Sequence, residues 1–173
     1  MFFELIATLV AGIAAAGIVF VINRSLKGRL PRWLMPVAAG LAMLAATISN
    51  EYGWFPRQTD NMPPEFVIAE SVEATAFYRP WTYLFPFVER FVAVDTATIN
   101  RHPAVPERRI AEIFLYSRWS PVKSLGVLAD CEALRRAPIT EAVQMNDDGS
   151  VEGVKWSTVP ATDPILKTIC EAS

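Results

Sequence analysis

The sequence predicts a membrane-anchored α+β protein, in which an N-terminal two-helix transmembrane hairpin is followed by a small antiparallel β-rich domain with a short C-terminal helix. Three observations predict this fold. Two apolar runs near the N-terminus are separated by a short basic segment. The later sequence has short runs of β-branched and aromatic residues, separated by turn-forming residues. Two cysteines, Cys131 and Cys170, both lie in this later part.

The composition changes along the chain and thereby predicts its domain organisation. Hydrophobic residues make up 52% of the sequence, and their excess lies before Ser49. We expect a two-span hairpin at residues 1–55, a linker at 56–64 and a β-rich domain at 65–173. The linker range is polar and ends in two prolines, which favour extended chain.

The first apolar run has the length and composition of a spanning helix. From Phe2 to Ile22 its one charge is Glu4, at the outer edge. About twenty residues at ~1.5 Å per residue cross a hydrocarbon core of ~30 Å. A cleaved signal peptide is the alternative, but positive charge is expected before the apolar region of a signal peptide, and here it comes after.

The second apolar run, from Trp33 to Ser49, predicts a second span. Pro36 falls in its first turn, where a missing N–H costs little. Trp33 at one end, with Tyr52 and Trp54 at the other, supplies aromatic residues at both expected interfaces.

The basic segment between the runs predicts the membrane topology. Short cytoplasmic loops concentrate Lys and Arg, so both termini are expected outside the cytoplasm, N-out and C-out. The expected location is a bacterial inner (cytoplasmic) membrane with the C-terminal domain in the periplasm. The residues that predict this topology are Arg24, Lys27, Arg29 and Arg32.

Small residues recur at one-turn spacing in both predicted helices, which favours close helix packing. Either these small residues pack the two helices on each other, or a second stripe of small residues on the same helices packs against helices of a larger membrane complex. Ionisable residues at bilayer depth are absent from the sequence, which argues against transport by this chain alone. The packing residues are Ala7, Ala11 and Ala15 in the first helix, and Ala38, Ala42 and Ala46 in the second.

The two cysteines are expected to form a disulfide, because the predicted topology places both in an oxidising compartment. Two separate buried thiols are the alternative. The sequence has no CxxC or CxxCH motif and no Cys/His cluster, so we expect no metal site and no cofactor.

The C-terminal domain is predicted to be mostly strands. The range 65–78 fits a helix or a strand, with strand favoured. Antiparallel strands are expected at 91–95, 110–116 and 122–129, separated by proline-containing loops. A hairpin should pair 142–145 with 151–156 across a turn at 146–150 that contains Asp-Gly.

The last predicted element is a short helix ending near Cys170. It begins at Asp163-Pro164, a capping acid followed by proline at the first helical position. Ile165, Leu166 and Ile169 give it a short apolar face. A Cys131–Cys170 bridge would tie this marginal helix to the sheet.

Between the first and second predicted strands lies a concentration of aromatic residues flanked by two arginines. Amphipathic rings suit a membrane interface or a partner surface, and the alternative is that they form the core of the domain or its lid. The candidate partner-binding residues are Tyr78, Arg79, Trp81, Tyr83, Phe85, Phe87 and Arg90.

The sequence offers little for catalysis or nucleic-acid binding. The one histidine, His102, lies in a proline-bounded loop, and Asp95 is the residue that could orient it. The pairs Arg108-Arg109 and Arg135-Arg136 are expected to be solvated charges. The net charge is −2, without a basic stripe beyond the hairpin, so nucleic acid is not expected.

These observations favour a non-catalytic accessory or assembly subunit of a larger bacterial inner-membrane complex, such as one of respiratory or photosynthetic electron transfer. The expected partners are an integral membrane protein complex and the lipid bilayer. A membrane-tethered periplasmic binding or envelope-interaction module is the alternative. A periplasmic enzyme that uses His102 is a third hypothesis.

Overall fold

The structure is a computed structural model that describes residues 2–141, 143–146 and 150–172, with only the backbone of Met145. The chain divides into two compact units, one ending at Asp60 and the other beginning at Asn61.

The first unit contains two long helices, α1 (Phe2–Ser25) and α2 (Leu34–Tyr52). At ~1.5 Å per residue their 24 and 19 residues extend ~36 and ~28 Å. Both are long and apolar enough to cross a membrane. Their large apolar side chains are mostly exposed: Ile13 of α1 is 73% exposed and Leu41 of α2 is 61% exposed.

The two helices pack on each other through small residues. Gly12 is buried, and a Cβ atom added there would lie 2.7 Å from the Cγ atom of Met43. A larger residue at position 12 would therefore have to displace the Met43 side chain. Among the residues predicted to pack, Ala7 is exposed, whereas the others are partly buried: Ala11, Ala15, Ala38, Ala42 and Ala46.

A tight turn joins α1 to α2. Lys27 and Gly28 have positive φ angles of 54° and 80°, and the Asn23 side chain accepts a hydrogen bond from the Leu30 amide at 3.0 Å. All four cations of the segment are exposed: Arg24, Lys27, Arg29 and Arg32.

A short helix, α3 (Trp54–Thr59), follows α2, so the predicted linker at 56–64 begins as helix. Pro56 lies in the first turn of α3, where its missing N–H breaks no hydrogen bond. Its carbonyl accepts from the Asp60 amide at 2.9 Å.

The second unit is built on a curled antiparallel sheet of six strands. The first five strands lie side by side in the order of the chain, and a short strand from late in the chain, β8, pairs with β5 at the edge of the sheet. The strands are β1 (Phe66–Ala74), β2 (Phe87–Arg101), β3 (Arg108–Ser117), β4 (Ser120–Asp130), β5 (Arg135–Pro138) and β8 (Ser157–Thr158). The ambiguous segment after residue 65 is thus a strand.

A separate two-stranded hairpin pairs β6 (Gln144–Met145) with β7 (Val151–Glu152). The hairpin predicted between 142–145 and 151–156 is present but shorter. Asn146 donates its amide to the Ser150 carbonyl at 3.0 Å. Ala142 and residues 147–149 of the predicted turn lie outside the described residues.

The helix α4 (Pro164–Glu171) packs on one face of the six-stranded sheet and completes the core. Its buried side chains are the three predicted from the sequence, Ile165, Leu166 and Ile169. The Asp163 side chain accepts from the Leu166 amide at 2.8 Å, as expected of the capping acid. The sheet contributes Val94, Ala111, Ile113, Val127 and Ala129 to this core.

A disulfide joins Cys131, directly after β4, to Cys170 in α4, with the two Cα atoms 5.9 Å apart. Arg109 supports the same helix end, because its Nη1 donates to the carbonyls of Ile169 and Ala172, each at 2.9 Å. Burial, with the neighbouring charge of Arg101, lowers the pKa of Arg109. The end of α4 is therefore held to the sheet covalently and by hydrogen bonds.

Of the four arginines expected to be solvated, Arg108, Arg135 and Arg136 instead make ion pairs within the domain, and Arg109 donates to backbone carbonyls at the end of α4. Asp130 is 6% exposed and accepts from Arg135 at 2.8 and 3.1 Å, and Arg108 lies 3.7 Å away. Arg136 pairs with Asp163 at 3.2 Å. Burial raises the pKa of Asp130, but hydrogen bonds from Arg135 and the Ala133 amide and the two arginine charges outweigh it, so the pKa is lowered.

Candidate functional site

The connection between β1 and β2, residues 75–86, exposes an unusual concentration of large apolar side chains. It contains a short 3₁₀ helix, Pro80–Tyr83. Five side chains here are at least 63% exposed: Phe77 (85%), Tyr78 (64%), Tyr83 (63%), Leu84 (78%) and Phe85 (67%). The predicted aromatic concentration thus lies largely on the surface.

Thr82 holds this connection in a defined shape. It is fully buried, and its hydroxyl oxygen accepts from the Ala76 amide at 3.0 Å. The same hydroxyl donates to the Arg79 carbonyl at 2.8 Å, and an isolated bridge pairs Ala76 with Arg79. The exposed rings are therefore presented by an internally bonded segment.

Arg79 lies among the rings. Its guanidinium carbon is 5.1 Å from the centroid of the Tyr78 ring and 5.9 Å from that of the Phe87 ring. Such stacking places a positive charge against aromatic faces. Arg79 is the one charged residue between Thr75 and Val88.

The turn between β3 and β4 lies at the same end of the sheet. Ser117 pairs with Ser120 across this turn, and the Arg118 amide donates to the Glu89 carbonyl of β2 at 3.2 Å. Trp119 at the turn is 56% exposed and carries the Arg118 guanidinium 5.1 Å from its ring centroid. The turn repeats the arrangement of a stacked arginine beside an exposed ring.

We call this surface the aromatic end. It comprises seven exposed apolar side chains and two stacked arginines: Phe77, Tyr78, Tyr83, Leu84, Phe85, Trp119 and Val122, with Arg79 and Arg118. Elsewhere in the described part of the second unit, the exposed large apolar side chains are Val67, Ile68, Leu115 and Leu134, at 37–42% exposure. Exposed apolar surface is thus concentrated at one end of the sheet.

The aromatic end lies far from the point where the chain enters the domain. Phe66, the first residue of β1, pairs with Asp95, whereas Ala74, the last, pairs with Phe87. Eight steps of ~3.3 Å separate the two ends of β1 by roughly 26 Å.

The other candidate partner-binding residues have different positions. Phe87 is 7% exposed and belongs to the interior of the domain, and Trp81 is only partly exposed. Arg90 is exposed on β2. Its side chain lines a concavity of about 440 Å³ that also includes Val72, Val92, Leu115 and Lys123.

His102 and Asp95 are not arranged as a catalytic pair. His102 follows β2 and its backbone amide donates to the Arg108 carbonyl, whereas Asp95 is opposite Glu112 of β3. Four steps along β3, roughly 13 Å, separate these positions. His102 Nδ1 accepts from the Ala104 amide at 3.2 Å, and the Asp95 carboxylate accepts from the Ala97 amide at 3.0 Å. Each side chain thus stabilises its own local backbone.

The part of the chain that the structure describes contains no group of three or more His, Cys, Asp or Glu side chains placed to hold a metal ion. No protein-family model, curated protein or solved structure matched the chain.

Sequence reasoning missed Trp119 and Arg118 as part of the site. Trp119 is more than thirty residues from the aromatic cluster along the chain. The signal was available in the strand order, because consecutive antiparallel strands place every second connection at the same end of a sheet. The loop between the strands predicted at 110–116 and 122–129 contains Trp119, and this rule places that loop at the same end of the sheet as residues 75–86.

Proposed function

We propose that this chain is a non-catalytic accessory or assembly subunit of a larger bacterial inner-membrane complex. In this proposal α1 and α2 anchor the chain, and the β domain lies on the periplasmic side. The aromatic end carries the proposal, because an apolar surface this concentrated is typical of a site that contacts another protein or a membrane. Complexes of respiratory or photosynthetic electron transfer are the expected class.

The properties of the first unit support membrane anchoring. A soluble helical hairpin buries one apolar face, whereas α1 and α2 leave large apolar side chains exposed around the pair. The four exposed cations of the connecting turn support its cytoplasmic placement.

The disulfide supports a periplasmic placement of the second unit, since disulfides persist in oxidising compartments. The local hydrogen bonds of His102 and Asp95 support a structural role for both residues. The rigid presentation of exposed rings by Thr82 fits a surface prepared for docking.

Co-purification tests the proposal. The tagged full chain, extracted from its native membranes in mild detergent, should recover a stoichiometric set of integral membrane proteins. An unrelated tagged two-span protein, purified in parallel, identifies contaminants. Recovery of the chain alone, as a monodisperse monomer, would contradict the proposal.

The concavity beside the aromatic end favours a second candidate, a membrane-tethered periplasmic binding module. Its lining includes the apolar residues Val72, Val92 and Leu115 and the charged residues Glu70, Arg90 and Lys123. A volume of about 440 Å³ suits a small molecule.

Native mass spectrometry distinguishes the two candidates. Under the binding-module function, the chain purified from its own membranes should retain a small molecule. A Leu115→Arg variant should lose that molecule and a Leu134→Arg variant should keep it. Recovery of protein partners without a retained small molecule favours the accessory subunit.

A further inference from the structure

We propose that the aromatic end binds the lipid bilayer itself, with its rings in the headgroup region and its most exposed apolar side chains at the boundary of the acyl chains. This inference rests on the proposed membrane anchoring and names the immediate partner of the same site. It predicts a domain that lies against the membrane surface.

The composition of the aromatic end matches a bilayer interface. Tyr and Trp have an apolar ring with a polar tip and concentrate where membranes meet water. Tyr78, Tyr83 and Trp119 supply such rings, whereas Phe77 and Leu84 supply the most exposed apolar groups, at 85% and 78%.

The two connections that form the aromatic end carry only cations, and two acids, Glu73 of β1 and Glu89 of β2, lie beside them in the sheet. Between Thr75 and Val88 the one charged residue is Arg79, and between Ile113 and Ser124 the charged residues are Arg118 and Lys123. All three are cations, and neither segment contains an acid. Cations close to an anionic membrane surface are attracted to its phosphates.

The two stacked arginines fit the same depth as the rings. The guanidinium groups of Arg79 and Arg118 lie 5.1 Å from the ring centroids of Tyr78 and Trp119. A ring at the headgroup level therefore places its guanidinium charge close to the level of the phosphates. Two separate loops repeat this arrangement at one end of the sheet.

The membrane anchoring of the chain also keeps lipid close to the domain. If α1 and α2 span a bilayer, its surface is present wherever the domain is. The aromatic end is roughly 26 Å from Phe66 along β1, so a membrane contact there would be separate from the point where the chain enters the domain. A protein surface would be available only where a partner had assembled.

Spin labels on the full chain test this inference. Single cysteines at Leu84 (aromatic end), Ala104 (opposite end of the sheet) and Leu41 (α2) are labelled separately, with Cys131 and Cys170 protected in their disulfide. Each protein is reconstituted in vesicles of 30% phosphatidylglycerol and 70% phosphatidylcholine. Accessibility to oxygen and to a water-soluble nickel complex then reports the depth of each label.

We expect the labels at positions 84 and 41 to be accessible to oxygen and shielded from nickel, and the label at 104 to be aqueous. The ratio of lipid-bound to aqueous label should be at least about tenfold higher at position 84 than at 104, since burial of one large apolar side chain contributes that factor. In neutral phosphatidylcholine vesicles the ratio at position 84 should fall.

Three different outcomes would overturn the inference. If position 41 reports lipid while 84 is as aqueous as 104, the anchor spans the membrane but the aromatic end binds something else, such as a protein surface. If position 84 is shielded from both reagents, the aromatic end contacts a second copy of the chain. An aqueous label at position 41 would instead refute the membrane anchoring and, with it, this inference.

The charge component has its own test. An Arg79→Gln, Arg118→Gln chain labelled at position 84 should show the same depth in anionic and neutral vesicles. A matched Arg101→Gln chain, altered at the opposite end of the sheet, should keep the preference for anionic vesicles. Circular dichroism checks that both variants remain folded. A preference retained in the double variant would contradict the role of the stacked arginines.

Discussion

The Thr82 hydroxyl oxygen lies 3.0 Å from the Ala76 amide nitrogen, and this hydrogen bond closes the segment that presents the exposed rings. Thr82→Val keeps the shape of the side chain but leaves the Ala76 amide without its acceptor. Such a buried loss costs about 1–3 kcal/mol. We expect faster hydrogen exchange at Ala76 and faster proteolysis between residues 77 and 85.

Thr75→Val is the matched control, since Thr75 is exposed in the same segment. It should leave both the exchange rate and the proteolysis rate unchanged. Equal effects of the two substitutions would show that the Thr82 hydroxyl does not determine the shape of this loop.

The lowered pKa of Asp130 predicts an acid-dependent loss of stability in the β domain. Because its pKa is lower in the folded chain, ionised Asp130 contributes stability above its unfolded pKa of about 3.9, and the contribution is lost as the pH falls through the folded pKa. Asp130→Asn should lower the free energy of unfolding by about 2 kcal/mol at pH 7, as expected for hydrogen bonds to a charged group.

Hydrogen exchange of the Val127 and Ala129 amides, which lie in the core, measures this free energy at neutral pH. Urea unfolding extends the comparison to acid, where the difference between Asp130→Asn and wild type should shrink below pH 4. Glu132→Gln removes an exposed charge two residues away and should have little effect. A constant difference from pH 7 to pH 2 would contradict the assignment to the Asp130 carboxylate.

The disulfide should contribute most of the stability of α4. Closing a loop of 39 residues constrains the unfolded chain by about 4 kcal/mol in the chain-entropy model. A Cys131→Ala, Cys170→Ala chain should therefore expose the Ile169 amide to exchange before the amides of β2 and β3. The wild-type chain with its disulfide intact is the reference, and unchanged exchange at Ile169 would refute the prediction.

The contact of Gly12 with Met43 predicts a sharp difference between two glycines of α1. Gly12→Leu places atoms where a Cβ is already 2.7 Å from the Met43 side chain, so overpacking should cost about 1–3 kcal/mol. Gly17→Leu meets nothing within 4 Å of its Cβ in the described structure and should be tolerated. Thermal loss of helical circular dichroism in detergent compares them, and equal melting would contradict the packing.

Elements with local signals were predicted correctly from the sequence. The capping acid Asp163, the proline after it and the three apolar residues of α4 are neighbours in the chain, so their pattern defines the helix directly. The Cys131–Cys170 bond followed because the chain has only these two cysteines. The two apolar helices followed from length and composition.

Features that depend on strand register were missed. Asp130 of β4 lies opposite Arg108 of β3 on one side and opposite Arg135 of β5 on the other. This strand register is what brings the three charges together. Periodicity shows which residues share a face but not which residue of the next strand lies opposite. The composition of the linker does not predict its helical start, because proline is common in linkers and is also compatible with the first turn of a helix, where Pro56 lies.

The distance along β1 between the entry point of the domain and the aromatic end has a consequence for how strong a second contact must be. A domain held by a short tether meets nearby sites at an effective concentration in the millimolar range. A contact at the far end of β1 can therefore have millimolar affinity and still be occupied much of the time. Few side chains then set the fraction of time that the domain is held at both ends, which makes its orientation adjustable by single substitutions at the aromatic end.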